Sequence, residues 1–70
     1  RLSEAEARAK ADKDVSPVYK VGRVWRFAVY DGTQDRWLES PFAETEAEAQ
    51  QQRDRAHAQL LRHLQGLPTD

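Results

Sequence analysis

The stretch Arg23-Val24-Trp25-Arg26-Phe27-Ala28-Val29-Tyr30 decides the fold. Its β-branched and aromatic residues suit a pleated, half-buried surface. Read with a two-residue period, Trp25, Phe27 and Val29 fall on one face, and Val24, Arg26, Ala28 and Tyr30 on the other. Upstream, Val15-Ser16-Pro17-Val18-Tyr19-Lys20-Val21 has the same texture, and Gly22 is the natural turn between the two runs. Pro17 has no N–H to give to a ladder, so its strand belongs at an edge or begins at the proline. Downstream, Asp31-Gly32 opens a turn that runs to about Asp35, after which Arg36-Trp37-Leu38-Glu39-Ser40 returns as a short third strand. The expected sheet is a three-stranded antiparallel meander. Whether Trp37 or Leu38 faces inward depends on the loop register, which a slip of one residue inverts.

Two helices flank this sheet. Thr45 and Glu48 have capping-box spacing, with Glu46 and Glu48 in a first turn where the helix dipole favours carboxylates. Gly66-Leu67-Pro68 is the matching stop: a glycine for the left-handed position, an apolar residue after it, and a proline that cannot continue. The helix predicted over 46–65 carries the stripe Ala49, Ala56, Leu60, Leu64, Leu67, broken by Arg53. Packed on Trp25, Phe27 and Val29, it leaves Arg26 and Tyr30 on the open side. Its leucine end overhangs the sheet and needs a cover, either the N-terminal helix or a second subunit. Ser3 and Glu6 start that N-terminal helix, whose apolar members are only Ala5, Ala7, Ala9 and Ala11. About ten residues falls short of what an isolated helix needs, so it docks, extends or frays. The expected fold is α+β, in the order α-β-β-β-α. Residues 1–14 form a weak N-terminal helix or linker, 15–67 a single domain with the meander on a long C-terminal helix, and 68–70 a tail.

Seventy residues allow one small core and exclude an enzyme with an interdomain cleft. Eleven Lys and Arg against twelve Asp and Glu leave a net charge of −1, so bulk charge does not hold this chain to a phosphate backbone. Without cysteine there is no disulfide, thiolate zinc site or redox centre. No run approaches the roughly 18 apolar residues of a spanning helix, so no membrane partner and a cytoplasmic location are expected. The absence of Met and the large Arg1 at the start point to a piece of something longer. Eight Arg against three Lys, with ten Ala and no Ile or Asn, suit a GC-rich, bacterial or phage coding sequence.

No catalytic, metal or cofactor constellation is expected. His57 and His63 lie six apart on one helix and point in different directions, so they do not chelate one ion. Glu44, Glu46, Glu48 and Asp54 read as a capped, solvated helix start. The segment Asp31 to Asp35 lacks the alternating ligands of a calcium loop. Ser3, Ser16 and Ser40 lack a nucleophile-elbow context, the three glycines are too scattered to cradle a phosphate, and a sheet this small has little room for a cleft that takes a small-molecule substrate. The sheet is what remains. Residues 15–38 hold Lys20, Arg23, Arg26 and Arg36 against Asp31 and Asp35. Basic groups interleaved with Tyr30 are a candidate surface for DNA. The alternative is a protein partner or homodimer seated on Leu60, Leu61, Leu64 and Leu67.

Trp25 through Tyr30-Asp31, then Phe42, then Thr45-Glu46-Ala47-Glu48-Ala49 resemble the arm-type DNA-binding domain of phage tyrosine integrases. The resemblance covers about residues 23–50. It implies a three-stranded sheet plus helix that binds DNA with the exposed sheet face, with Arg23, Arg26 and Arg36 at the matching positions. The element order also resembles the double-stranded RNA-binding domain. Glu46-Ala47-Glu48-Ala49 stands where that family has a Lys-rich helix start, so the topology carries over and the ligand does not.

Overall fold

A computed structural model describes residues 1–69; Asp70, the last residue of the expected tail, lies outside the described residues. The element order is α1 (Glu4–Asp14), β1 (Tyr19–Val21), β2 (Val24–Arg26), β3 (Ala28–Asp31), β4 (Arg36–Glu39) and α2 (Glu46–Leu64). The α+β class holds. The continuous three-stranded meander does not: β1 pairs with β2 and β3 with β4, giving two two-stranded antiparallel sheets.

The long central strand breaks at Phe27, and the cause lies on both of its flanks. On one side Tyr19 stands opposite Arg26 and Val15 opposite Val29, so the flanking chain has one residue more than the strand it follows. On the other side Glu39 stands opposite Ala28 and Ala43 opposite Trp25, again one residue more. Each extra residue sits in a Ser-Pro step, Ser16-Pro17 and Ser40-Pro41, where the proline cannot donate to a ladder. The two serines take over. Ser40 donates its N–H to the Phe27 carbonyl at 2.8 Å and accepts the Phe27 N–H on Oγ at 2.9 Å. Ser16 does the same for Ala28, with both contacts at 2.8 Å. At the break the Phe27 and Ala28 N–H groups are therefore satisfied by serine hydroxyls and their carbonyls by the serine N–H groups.

The helix ends follow the sequence closely. Ser3 and Glu6 form the reciprocal capping box on α1. Thr45 caps α2 by accepting the Glu48 N–H at 3.1 Å, but the Glu48 carboxylate accepts from Glu44 instead of closing the box on Thr45. At the far end Gly66 adopts φ +75°, Leu67 donates to Arg62 O at 2.9 Å and Gly66 to His63 O at 3.0 Å. That is the glycine-terminated stop the sequence announces. α2 runs unbroken between these caps and lies against β2, with Phe27 buried and Trp25 and Val29 half-buried.

α1 docks antiparallel along α2. Leu2 N–H donates to Leu64 O at 3.0 Å, His57 Nε2 lies 2.7 Å from Asp12 Oδ1, and the Arg53 guanidinium donates to the carbonyls of Ser16 and Val15 at 3.2 and 3.4 Å. Small residues let the helices approach: Ala7 and Ala11 are fully buried there. The core as a whole is small. It comprises Ala7, Ala11, Val15, Phe27, Ala28, Ala43 and Ala49, and Val15 is the largest side chain buried completely.

Candidate functional site

Residues directly opposite one another on paired strands share a side of the sheet, and sides alternate along each strand. The register therefore sorts the sheet residues. Val21 and Tyr19 of β1, opposite Val24 and Arg26, lie on the same side as Glu39 and Trp37 of β4, opposite Ala28 and Tyr30. Side-chain contacts tie this side together. Tyr19 donates its hydroxyl to Glu39 Oε2 at 2.8 Å, and the Tyr30 and Trp37 rings meet edge to face with centroids 5.5 Å apart. The Arg26 guanidinium stacks on Phe42 at 4.3 Å from the ring centroid. One side of the molecule thus collects Tyr19, Tyr30, Trp37 and Phe42 with Val21 and Val24. Three of these are strongly exposed: Val21 at 41%, Trp37 at 50% and Phe42 at 61%.

The residues nominated from sequence for DNA do not gather. Arg26 is the only cation of the four on this side, and it is consumed internally. Its Nε donates to Ser40 O at 2.8 Å, its Nη1 lies 3.6 Å from Glu39 Oε2, and its plane covers Phe42. Lys20 stands opposite Trp25 on the other side, its Nζ 5.8 Å from the Trp25 ring centroid. Arg36 also falls on that other side, opposite Asp31. Arg23 sits in the turn between β1 and β2, whereas Arg36 begins β4 opposite Asp31, the last residue of β3. The nominated set is thus split between the two sides, with Arg26 and Tyr30 on one and Lys20 and Arg36 on the other. The question of Trp37 against Leu38 also resolves: Trp37 shares the side of Tyr30, and Leu38, opposite Val29, lies on the other, where it remains 44% exposed.

The leucine surface is partly occupied. Leu60, Leu61 and Leu64 are half-buried where α1 lies on α2, and only Leu67 is exposed. α1 packs along α2, and its flanking Leu2 bonds to Leu64 at this end.

Electrostatics on the aromatic side are local. Tyr30 donates to the Asp35 carboxylate, which, with a smaller contribution from burial, raises its hydroxyl above the ordinary value. Partial burial and then the Glu39 carboxylate raise Tyr19 likewise. Asp31 accepts the Thr33 hydroxyl and N–H within the turn, which holds its carboxyl below the ordinary range. Both tyrosine hydroxyls therefore act as donors, Tyr19 to Glu39 and Tyr30 to Asp35. Among the described residues no three His, Cys, Asp or Glu side chains stand close enough to hold a metal ion, and no helix is long and apolar enough to cross a membrane.

Trp37 and Phe42 are not among the residues nominated from sequence, and the break at the two Ser-Pro steps was not foreseen. The twin Ser-Pro dipeptides bracketing an aromatic strand were the available signal, because prolines on both flanks forbid two unbroken ladders. Compared with known proteins, the chain matches no family model, no curated protein and no solved structure.

Proposed function

We propose that this chain is a non-enzymatic binding module that associates with a second copy of itself through the aromatic side of its sheets. The observation that carries this reading is the exposure of Val21, Trp37 and Phe42 on one side of the molecule, while Leu60, Leu61 and Leu64 are already half-covered by α1. Large apolar groups clustered on one surface mark a contact site, and in a domain with so small a core they represent burial that folding alone leaves undone. The charge on this side favours self-recognition. Arg26 and Glu39 neutralise each other within one chain, so a two-fold copy does not set an unpaired Arg26 or Glu39 against its like.

Sedimentation across a concentration series tests it. The expected mass rises towards twice that of one chain, and Trp37→Asp returns it to one chain while circular dichroism shows the helices intact. A single-chain mass at the highest soluble concentration rejects the reading. Loss of the dimer on Leu64→Asp but not on Trp37→Asp moves the interface to the leucine end of α2. Titration of a duplex oligonucleotide at two salt concentrations covers the DNA reading: affinity that falls steeply with salt and with Arg23→Ala or Arg36→Ala replaces self-association as the function.

A further inference from the structure

The last turns of α1 and the β3–β4 hairpin enclose a cleft lined by Lys10, Lys13, Asp14, Tyr30 and Trp37. We infer that this cleft binds a single planar aromatic ring carrying an anionic group. The inference goes beyond self-association, because it concerns a ligand of one chain.

Size, wall and charge each narrow the ligand. At about 270 Å³ the cleft is smaller than the usual range for a drug-sized molecule, so it takes one ring and a short arm. Its wall is the half-exposed Trp37 indole, held in place by the edge-to-face contact with Tyr30. The Tyr30 ring is itself anchored by its hydroxyl bond to Asp35. A fixed, accessible indole takes a second ring by stacking without losing much side-chain freedom. Charge then selects the sign of the arm. Lys10 and Asp14 neutralise each other through a contact of 3.0 Å, and Asp14 is buried, so that pair offers no free carboxylate to a cation. Among the described residues Lys13 has no carboxylate within salt-bridge distance, which leaves the cleft with one uncompensated ammonium. A ring stacked on Trp37 with a carboxylate or phosphate on Lys13 meets both features at once.

The test uses the whole chain at a concentration below self-association, following the Trp37 indole N–H resonance by NMR. The probes are phenylacetate and phenyl phosphate, with benzylamine and benzyl alcohol as cationic and neutral counterparts. Both anions are expected to shift the Trp37 resonance saturably and bind about tenfold more tightly than their counterparts, the ratio of one charge-assisted hydrogen bond. Lys13→Gln, an exposed change that leaves the core untouched, abolishes that preference, and Trp37→Leu weakens both anions. Phenyl phosphate binding more tightly than phenylacetate assigns the site to aromatic phosphates, and the reverse order assigns it to aromatic carboxylates. Benzylamine binding as well as the anions, Lys13→Gln leaving the preference intact, or neither anion shifting Trp37 would each overturn the inference. None of these outcomes depends on the sedimentation result, so the two proposals fail separately.

Discussion

Arg26 and the two Ser-Pro serines show how single side chains substitute for missing sheet structure. An arginine on a strand face reads as a solvated cation, yet this one donates to a backbone carbonyl, pairs with Glu39 and covers Phe42. Replacing a solvated surface arginine costs within about 0.5 kcal/mol, whereas losing a charge-assisted bond to a half-buried carbonyl costs about 1 to 3 kcal/mol. Arg26→Ala is therefore expected to lower the unfolding free energy by the larger amount in urea titration. A change inside the smaller range returns Arg26 to the solvent-facing role. Ser40→Ala tests the break in the same way. It strands the buried Phe27 N–H without an acceptor, and an unsatisfied buried donor costs about 1 to 3 kcal/mol. Equal stability of Ser40→Ala and the parent chain would show that the hydroxyl does not hold the bulge together.

Among the elements, α1 gains least from its own sequence and most from its neighbour. Its eleven residues are too few for a stable isolated helix, and only Ala7, Ala11 and Asp14 are buried within it. What keeps it helical is the Ser3–Glu6 cap and the docking contacts to α2, including Asp12 with His57. The cap predicts a pH dependence. Bonds from the Ser3 N–H and hydroxyl hold the Glu6 carboxyl below its ordinary 4.5 in the folded chain. A carboxyl lowered on folding contributes stability above its unfolded value and loses it as pH falls through the folded one. Hydrogen exchange at the first turn of α1 is expected to quicken as pH drops below about 4.5, after correction for intrinsic exchange, and Glu6→Gln is expected to flatten that response. The same response in Glu6→Gln would place the titration elsewhere.

At the scale of the whole molecule, the balance is between a core whose largest completely buried side chain is Val15 and a surface where Trp37 and Phe42 are half or more exposed. Small domains bury too little to be very stable alone, and whatever binds the folded state raises its melting temperature by mass action. Self-association through the aromatic side therefore predicts a melting temperature that climbs with protein concentration in the parent chain and stays level in Trp37→Asp. A concentration-independent value for both would mean that the aromatic side stabilises nothing by contact with a copy.

Local chemistry made some features legible in advance. The Ser3 cap, the Thr45 start, the Gly66 stop, the strand character around Trp25 and the turns at Gly22 and Asp31 each depend on residues adjacent in sequence, and each stands where its residues put it. Other features depended on groups far apart along the chain. Whether the central strand kept one continuous pair of partners was decided by Ser16-Pro17 and Ser40-Pro41 arriving at the same point, Phe27, from opposite flanks. The register that sent Lys20 and Arg36 to one side and Trp37 to the other followed from that arrangement, because a single extra residue on a flank changes which side chains share a face. Composition and periodicity set the elements; only their packing determined which cations were free, which leucines were covered, and that the open side of this protein is aromatic instead of basic.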